Sequence, residues 1–86
     1  MTNLIKITGD WLNLTSDQSL VNGASYTVQN LGSYQVFLYE SSSLPSSTDD
    51  GLVLNQIDSA LLKQGTDNIY IRSSRDSGRI VLNIAN

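Results

Sequence analysis

The sequence predicts a small all-β fold, a β-sandwich or barrel of about six to eight short antiparallel strands, and three observations carry that prediction. Charged residues make up only 15% of the 86-residue chain. Ser, Thr, Asn and Gln abound instead, as they do in polar turns joining strands and not on the Glu-, Lys- and Ala-rich surfaces of helices. Apolar residues recur at every second position in successive short runs, and the glycines Gly9, Gly23, Gly32, Gly51, Gly65 and Gly78 fall mostly between those runs.

Taken in order, Leu4 to Thr8 places Ile5 and Ile7 on one face, opposite Lys6. Gly9-Asp10 turns the chain into a second candidate strand, Trp11 to Thr15, with Leu12 and Leu14 alternating. Asn22-Gly23 is a turn, since both residue types tolerate positive φ. Ser25 to Gln29 follows with Tyr26 and Val28 on one face, and Asn30-Leu31-Gly32-Ser33 turns again. Tyr34 to Glu40 is the strongest strand. Tyr34, Val36 and Leu38 share one face while Phe37 and Tyr39 share the other, so it is expected to be central or covered on both sides.

Ser41 to Asp50 reads as a loop and as the main contact-making segment, because hydroxyl residues, one Pro and two adjacent carboxylates fill neither a core nor a ladder. Gly51 to Ile57 resumes a strand through Leu52 and Leu54. Asp58 to Gln64 is ambiguous: Asp58 could cap one short helical turn near 58–64, closed by Gly65. Asn68 to Ser73 and Arg79 to Ala85 are strands, and Arg75-Asp76-Ser77-Gly78 between them predicts a C-terminal β-hairpin. The whole chain, residues 1–86, is expected to form one domain.

Composition narrows the function. With no Cys and no His, the chain lacks disulfides, the commonest soft metal ligands and the usual nucleophile–base pairs. No phosphate-cradling glycine motif is present, and Ser–Lys chemistry would need Lys6 or Lys63 desolvated beside a serine. Asp49-Asp50 has neither the spacing of a calcium loop nor the separation of a glycosidase pair. No enzyme activity and no cofactor are therefore expected. A net charge of −3 argues against a general nucleic-acid binder, and Arg72, Arg75 and Arg79 are read as a solvated or ion-paired surface. There is no signal-peptide pattern and no apolar run of the ~20 residues needed to span a bilayer, so neither secretion nor a membrane partner is expected. Asn13-Leu14-Thr15 matches the glycosylation pattern and is read as coincidence.

A domain of this size buries only roughly 60–65% of its unfolded surface. Without disulfide or metal reinforcement, association is the remaining route to stability, and a homo-oligomer or a docked subunit is expected. Trp11 is the preferred contact residue, because Leu12 and Leu14 point the other way on a strand. The tyrosines Tyr26, Tyr34, Tyr39 and Tyr70 are assigned to the core.

The run Tyr26-Thr27-Val28-Gln29-Asn30-Leu31-Gly32, then Val36-Phe37-Leu38-Tyr39-Glu40, Leu44-Pro45, Asp49-Asp50-Gly51 and Asn68-Ile69-Tyr70-Ile71-Arg72-Ser73, resembles small structural proteins of tailed bacteriophages across residues 3–84. The resemblance implies a virion component assembled in the host cytoplasm. A capsid decoration protein that stabilises the head shell is the first expectation; a tail, neck or fibre-associated subunit is the alternative. The major capsid protein or other virion subunits would be its partners. The expected interface is Trp11, Leu44, Pro45, Asp49, Asp50, Arg72, Arg75 and Arg79. From a different class, a carbohydrate- or receptor-binding module would use Trp11 with the Ser41–Asp50 loop.

Overall fold

The period-two alternation of the sequence becomes two packed four-stranded antiparallel sheets in a computed structural model that describes residues 2–46 and 51–85. In chain order the elements are β1 (Thr2–Ile7), β2 (Leu12–Asn13), α1 (Leu14–Asp17), β3 (Ser25–Asn30), β4 (Val36–Ser41), β5 (Leu52–Leu54), β6 (Ser59–Lys63), β7 (Asn68–Ser73) and β8 (Gly78–Ile84). The first sheet runs β1-β8-β3-β6 and the second β2-β7-β4-β5. Among the described residues no helix is long and apolar enough to cross a membrane.

The core between the sheets is almost wholly aliphatic. Ile5 and Ile7 of β1, Val28 of β3, Ile80 and Leu82 of β8 face Val36 and Leu38 of β4 and Ile69 and Ile71 of β7. Tyr26 is the one aromatic in this layer, and its hydroxyl accepts the Val21 N–H at 2.9 Å, so burial leaves its polar end satisfied.

Three sequence expectations are corrected. The C-terminal hairpin does not form: β7 pairs with β2 and β4, whereas β8 pairs with β1 and β3. Residues 74–77 arch from one sheet to the other, with Ser73 N–H on the Thr8 carbonyl and Ser74 N–H on the Gln35 carbonyl. Each of the two strands is instead central in its own sheet, β7 between β2 and β4 and β8 between β1 and β3. Gly78 closes the arch where β8 crosses β7, because a Cβ there would stand 2.8 Å from Ser73 Cβ and 2.9 Å from the Ile7 side chain.

Segment 58–64 is no helical turn but the edge strand β6, pairing with β3 from Ser25↔Lys63 to Gln29↔Ser59. Its helix-compatible composition yields to the open edge of β3. The helical turn lies instead at α1, which takes over the last two residues of the predicted Trp11–Thr15 strand and runs on to Asp17. Asn13 caps it by accepting the Ser16 N–H at 3.2 Å, and Leu14 plugs the core with no exposure. Beyond it Ser19 takes φ 52° while Leu20 N–H reaches back to Thr15 O, a left-handed helix end made without glycine.

Two buried amides tie the sheets together at opposite ends. Asn30, fully buried at the end of β3, donates to the Tyr34 carbonyl at 2.8 Å and the Leu54 carbonyl at 3.1 Å, and accepts the Gly32 N–H at 2.9 Å. Gln64, which follows β6, donates to the Gly65 and Asp67 carbonyls and accepts the Thr15 hydroxyl at 2.8 Å. Thr15 in turn accepts the Ile69 N–H of β7. Removing the Asn30 carboxamide takes a donor from the Tyr34 and Leu54 carbonyls and leaves the Gly32 N–H only its longer bond to the Arg79 carbonyl at 3.2 Å, so Asn30→Ala should cost about 2–3 kcal/mol in urea unfolding. Asn30→Asp should cost at least as much near neutral pH, since a carboxylate cannot donate to the two carbonyls it would face.

Candidate functional site

Because Val36, Leu38, Ile69 and Ile71 point inward, the same two strands must send Phe37, Tyr39, Tyr70 and Arg72 to the outer face of the second sheet. The β4–β7 register sets Phe37 opposite Arg72 and Tyr39 opposite Tyr70. The chain has one Trp, four Tyr and one Phe, and four of these rings, Trp11 included, gather on this face.

Arg72 organises the group. Its guanidinium carbon lies 4.5 Å from the Phe37 ring centroid and 5.2 Å from that of Trp11, within the range where a cation is drawn to an aromatic face. Trp11 meets Tyr39 with centroids 6.4 Å apart and planes tilted by 50°. Tyr70 is buried on this outer face at 6% exposure. The guanidinium and rings therefore form a packed layer outside the main core rather than a scatter of surface residues.

Two loops complete the site. The turn after β1, held by Asp10 N–H on the Thr8 hydroxyl, delivers Trp11 just before the short edge strand β2. From the other side the segment after β4 comes to Trp11, whose indole N–H donates to the Ser46 carbonyl at 2.9 Å. Pro45 is buried while Leu44 is 67% exposed. Together with Gly9, Asp10 and Trp11 these two line a shallow groove of about 360 Å³. Gly51, at φ 59°, brings the chain back to β4; a Cβ at that position would collide with the Leu38 carbonyl oxygen and meet Tyr39 at 3.1 Å.

The structure thus brings together Trp11, Leu44, Pro45 and Arg72 of the residues the sequence singled out. Asp49 and Asp50 lie outside the described residues. Arg75 and Arg79 do not join them: Arg75 stands 5.8 Å from the ring of Tyr34, which is exposed and not in the core. Arg79 sits on β8 across from Lys6, in the other sheet. Their closeness in sequence is undone by the arch at residues 74–77. Phe37 and Tyr39 were missed as site members, although large apolar groups on both faces of β4 were the signal that something covers each. Among the described residues no group of three or more His, Cys, Asp or Glu side chains is placed to hold a metal.

Comparison of the chain with protein-family models, with curated proteins and with solved structures gives no match to any of them.

If the guanidinium shields Trp11 as the distances indicate, Arg72→Ala should shift the emission of this single tryptophan to longer wavelength. It should also lower stability by about 1–2 kcal/mol through lost ring and stem contacts. An unchanged spectrum would remove Arg72 as the organiser of the layer.

Proposed function

We propose that the chain is a non-catalytic docking subunit that binds another protein surface through the outer face of the β2-β7-β4-β5 sheet. The observation that supports this reading is the Arg72–Trp11–Phe37 layer beside exposed Leu44. Arginine and large aromatic rings, held rigid by their own packing and edged by an exposed apolar side chain, are the residue types that dominate protein–protein binding energy. Rings already ordered in the free protein lose little side-chain freedom on docking.

The resemblance to small structural proteins of tailed phages names the partner class: the major capsid protein or another virion subunit. Decoration of a head shell is the form preferred here, with a tail, neck or fibre position as the alternative. The work done is mechanical, in that buried area added between neighbouring shell subunits raises the free energy needed to separate them. A second reading follows from the groove beside Trp11, where an aromatic ring next to the Asp10 carboxylate offers the stacking and hydrogen bonding that a sugar ring uses.

Particles purified from a lysate carrying this gene should contain the chain, and Trp11→Ala or Arg72→Ala should reduce its incorporation by at least about tenfold, the scale of a truncated central anchor. Absence of the chain from purified particles overturns the virion reading. Quenching of Trp11 fluorescence by soluble glycans, with no incorporation into particles, would favour the sugar-binding reading instead.

A further inference from the structure

The side of the sandwich formed by β5, β6 and the turn between them differs from the rest of the surface. From Gly51 to Leu62 the sequence carries one charged residue, Asp58. Leu52 is 49% exposed, Ile57 69% and Leu61 70%. Leu62 lines a surface hollow together with Leu38 and Leu52, so both edge strands open onto the same side. Ile57 is held at φ 62°, a conformation that costs a β-branched residue free energy, and its side chain packs against little of its own chain.

The backbone of β6 carries the argument further. Asn30 N–H bonds to Asp58 O and Gln64 N–H to Ala24 O, which makes these the hydrogen-bonded pairs of the β3–β6 ladder. In an antiparallel pair such positions recur at every second residue. Ala60 and Leu62, opposite Val28 and Tyr26, therefore spend their N–H and C=O groups on β3. The N–H and C=O groups of Ser59, Leu61 and Lys63 point the other way, to the open edge of the sheet. From Ser59 to Lys63 this edge has no proline and no charge at its centre, two of the usual guards against pairing with another chain; a bulge, Ile57 and Asp58 both bonded to Asn30, lies just before it.

We infer that β6 is a self-complementary edge through which two copies of this chain pair antiparallel about a twofold axis at Leu61. An axis there sets Leu61 opposite Leu61 and Ser59 opposite Lys63 of the partner. Every residue whose backbone groups are free thus meets one whose groups are also free. No like charges are set opposite each other, and the two Leu61 side chains cover one another on the outer face. The two β1-β8-β3-β6 sheets become one continuous sheet, and the apolar flank containing Leu52 and Ile57 gains a neighbour. A second copy meets these conditions with Ser59 set against Lys63 and the exposed Leu61 set against an identical apolar side chain. This interface does not depend on the aromatic face of the other sheet, which it leaves open on both copies.

Light scattering and equilibrium sedimentation of the whole chain should give twice 9.4 kDa at roughly 100 µM, falling toward the monomer on dilution. Amide exchange should show Ser59, Leu61 and Lys63 protected only at high concentration, whereas Ala60 and Leu62 stay protected throughout. Leu61→Lys places like charges face to face and removes the apolar pair, so it should weaken the dimer by roughly tenfold or more. Leu61→Pro removes a donor that β3 does not use and should do the same. Circular dichroism and Trp11 emission confirm that each variant remains folded. A wild-type monomer at the highest concentration overturns the inference. So does a dimer indifferent to whichever Leu61 variants remain folded, or one whose Leu61 amide exchanges at a rate independent of concentration. Loss of the dimer in Trp11→Ala but not in Leu61→Lys would also overturn it, and would place the contact on the aromatic face.

Discussion

The arrangement rests on a constraint common to small sandwiches without covalent staples: two sheets with slippery aliphatic inner faces must be held in one relative position. Leu, Ile and Val packing is nearly non-directional, so on its own it tolerates sliding of one sheet over the other. Asn30 and Gln64 remove that freedom. Asn30 reaches from β3 to the Leu54 carbonyl of β5, and Gln64 connects the end of β6 through Thr15 to Ile69 of β7. Each amide carries both donors and an acceptor; the partners are all backbone groups for Asn30, and two carbonyls plus the Thr15 hydroxyl for Gln64. A shift of either sheet would strand buried polar groups, a penalty that hydrophobic contacts cannot offset locally.

That fixed placement also explains the aromatic layer. A thin core filled by aliphatic side chains has room for Tyr26 but not for a stack of rings, so Phe37, Tyr39 and Tyr70 emerge on the outside of the central strands. There the β4–β7 register brings Arg72 opposite Phe37, and the turn after β1 adds Trp11. A slip of one residue between β4 and β7 would send Arg72 into the core and Ile71 outward. The site is thus a consequence of the β4–β7 register at the centre of its sheet.

How far this was legible in the sequence depends on the range of the interactions. The strands β1, β3, β4, β7 and β8 follow from alternation, which is local. Strand partners are not local: an arch and a hairpin can share the residues Ser74 to Ser77, and only competition among all strands for flanks decides between them. The 58–64 segment, with its Ala, two Leu and Lys, suits a helix as well as a strand until the open edge of β3 is known. Asn30 was readable in part, since it continues the inward phase of Tyr26 and Val28; its role as a bridge needed the position of Leu54. At the site, the outward phase of Trp11 was legible, whereas its meeting with Ser46, 35 residues away in the chain, was not. Arg75 and Arg79 were misplaced for the opposite reason, because nearness in sequence says nothing once a strand changes sheet.

The division of labour between the two sheets bears on how such a subunit can act. The β2-β7-β4-β5 sheet presents a rigid arginine–aromatic face, while the other sheet carries Thr27, Gln29, Asn83 and Ser59 outward with isolated apolar residues such as Leu4 and Leu61 between them. A partner bound by the first face and a copy joined along the β6 edge would approach from different directions, so neither excludes the other. In the inferred dimer the two aromatic faces, each on its own β2-β7-β4-β5 sheet, would be held at one spacing by the joined β6 edges. The second contact forms at an effective concentration set by the rigid spacing, without any improvement in the individual contact. Such spacing has an effect only on a surface that itself repeats, whereas a lone soluble ligand gains nothing from it. The edge and the aromatic face are separate features of the fold, so either can be altered while the other is left intact.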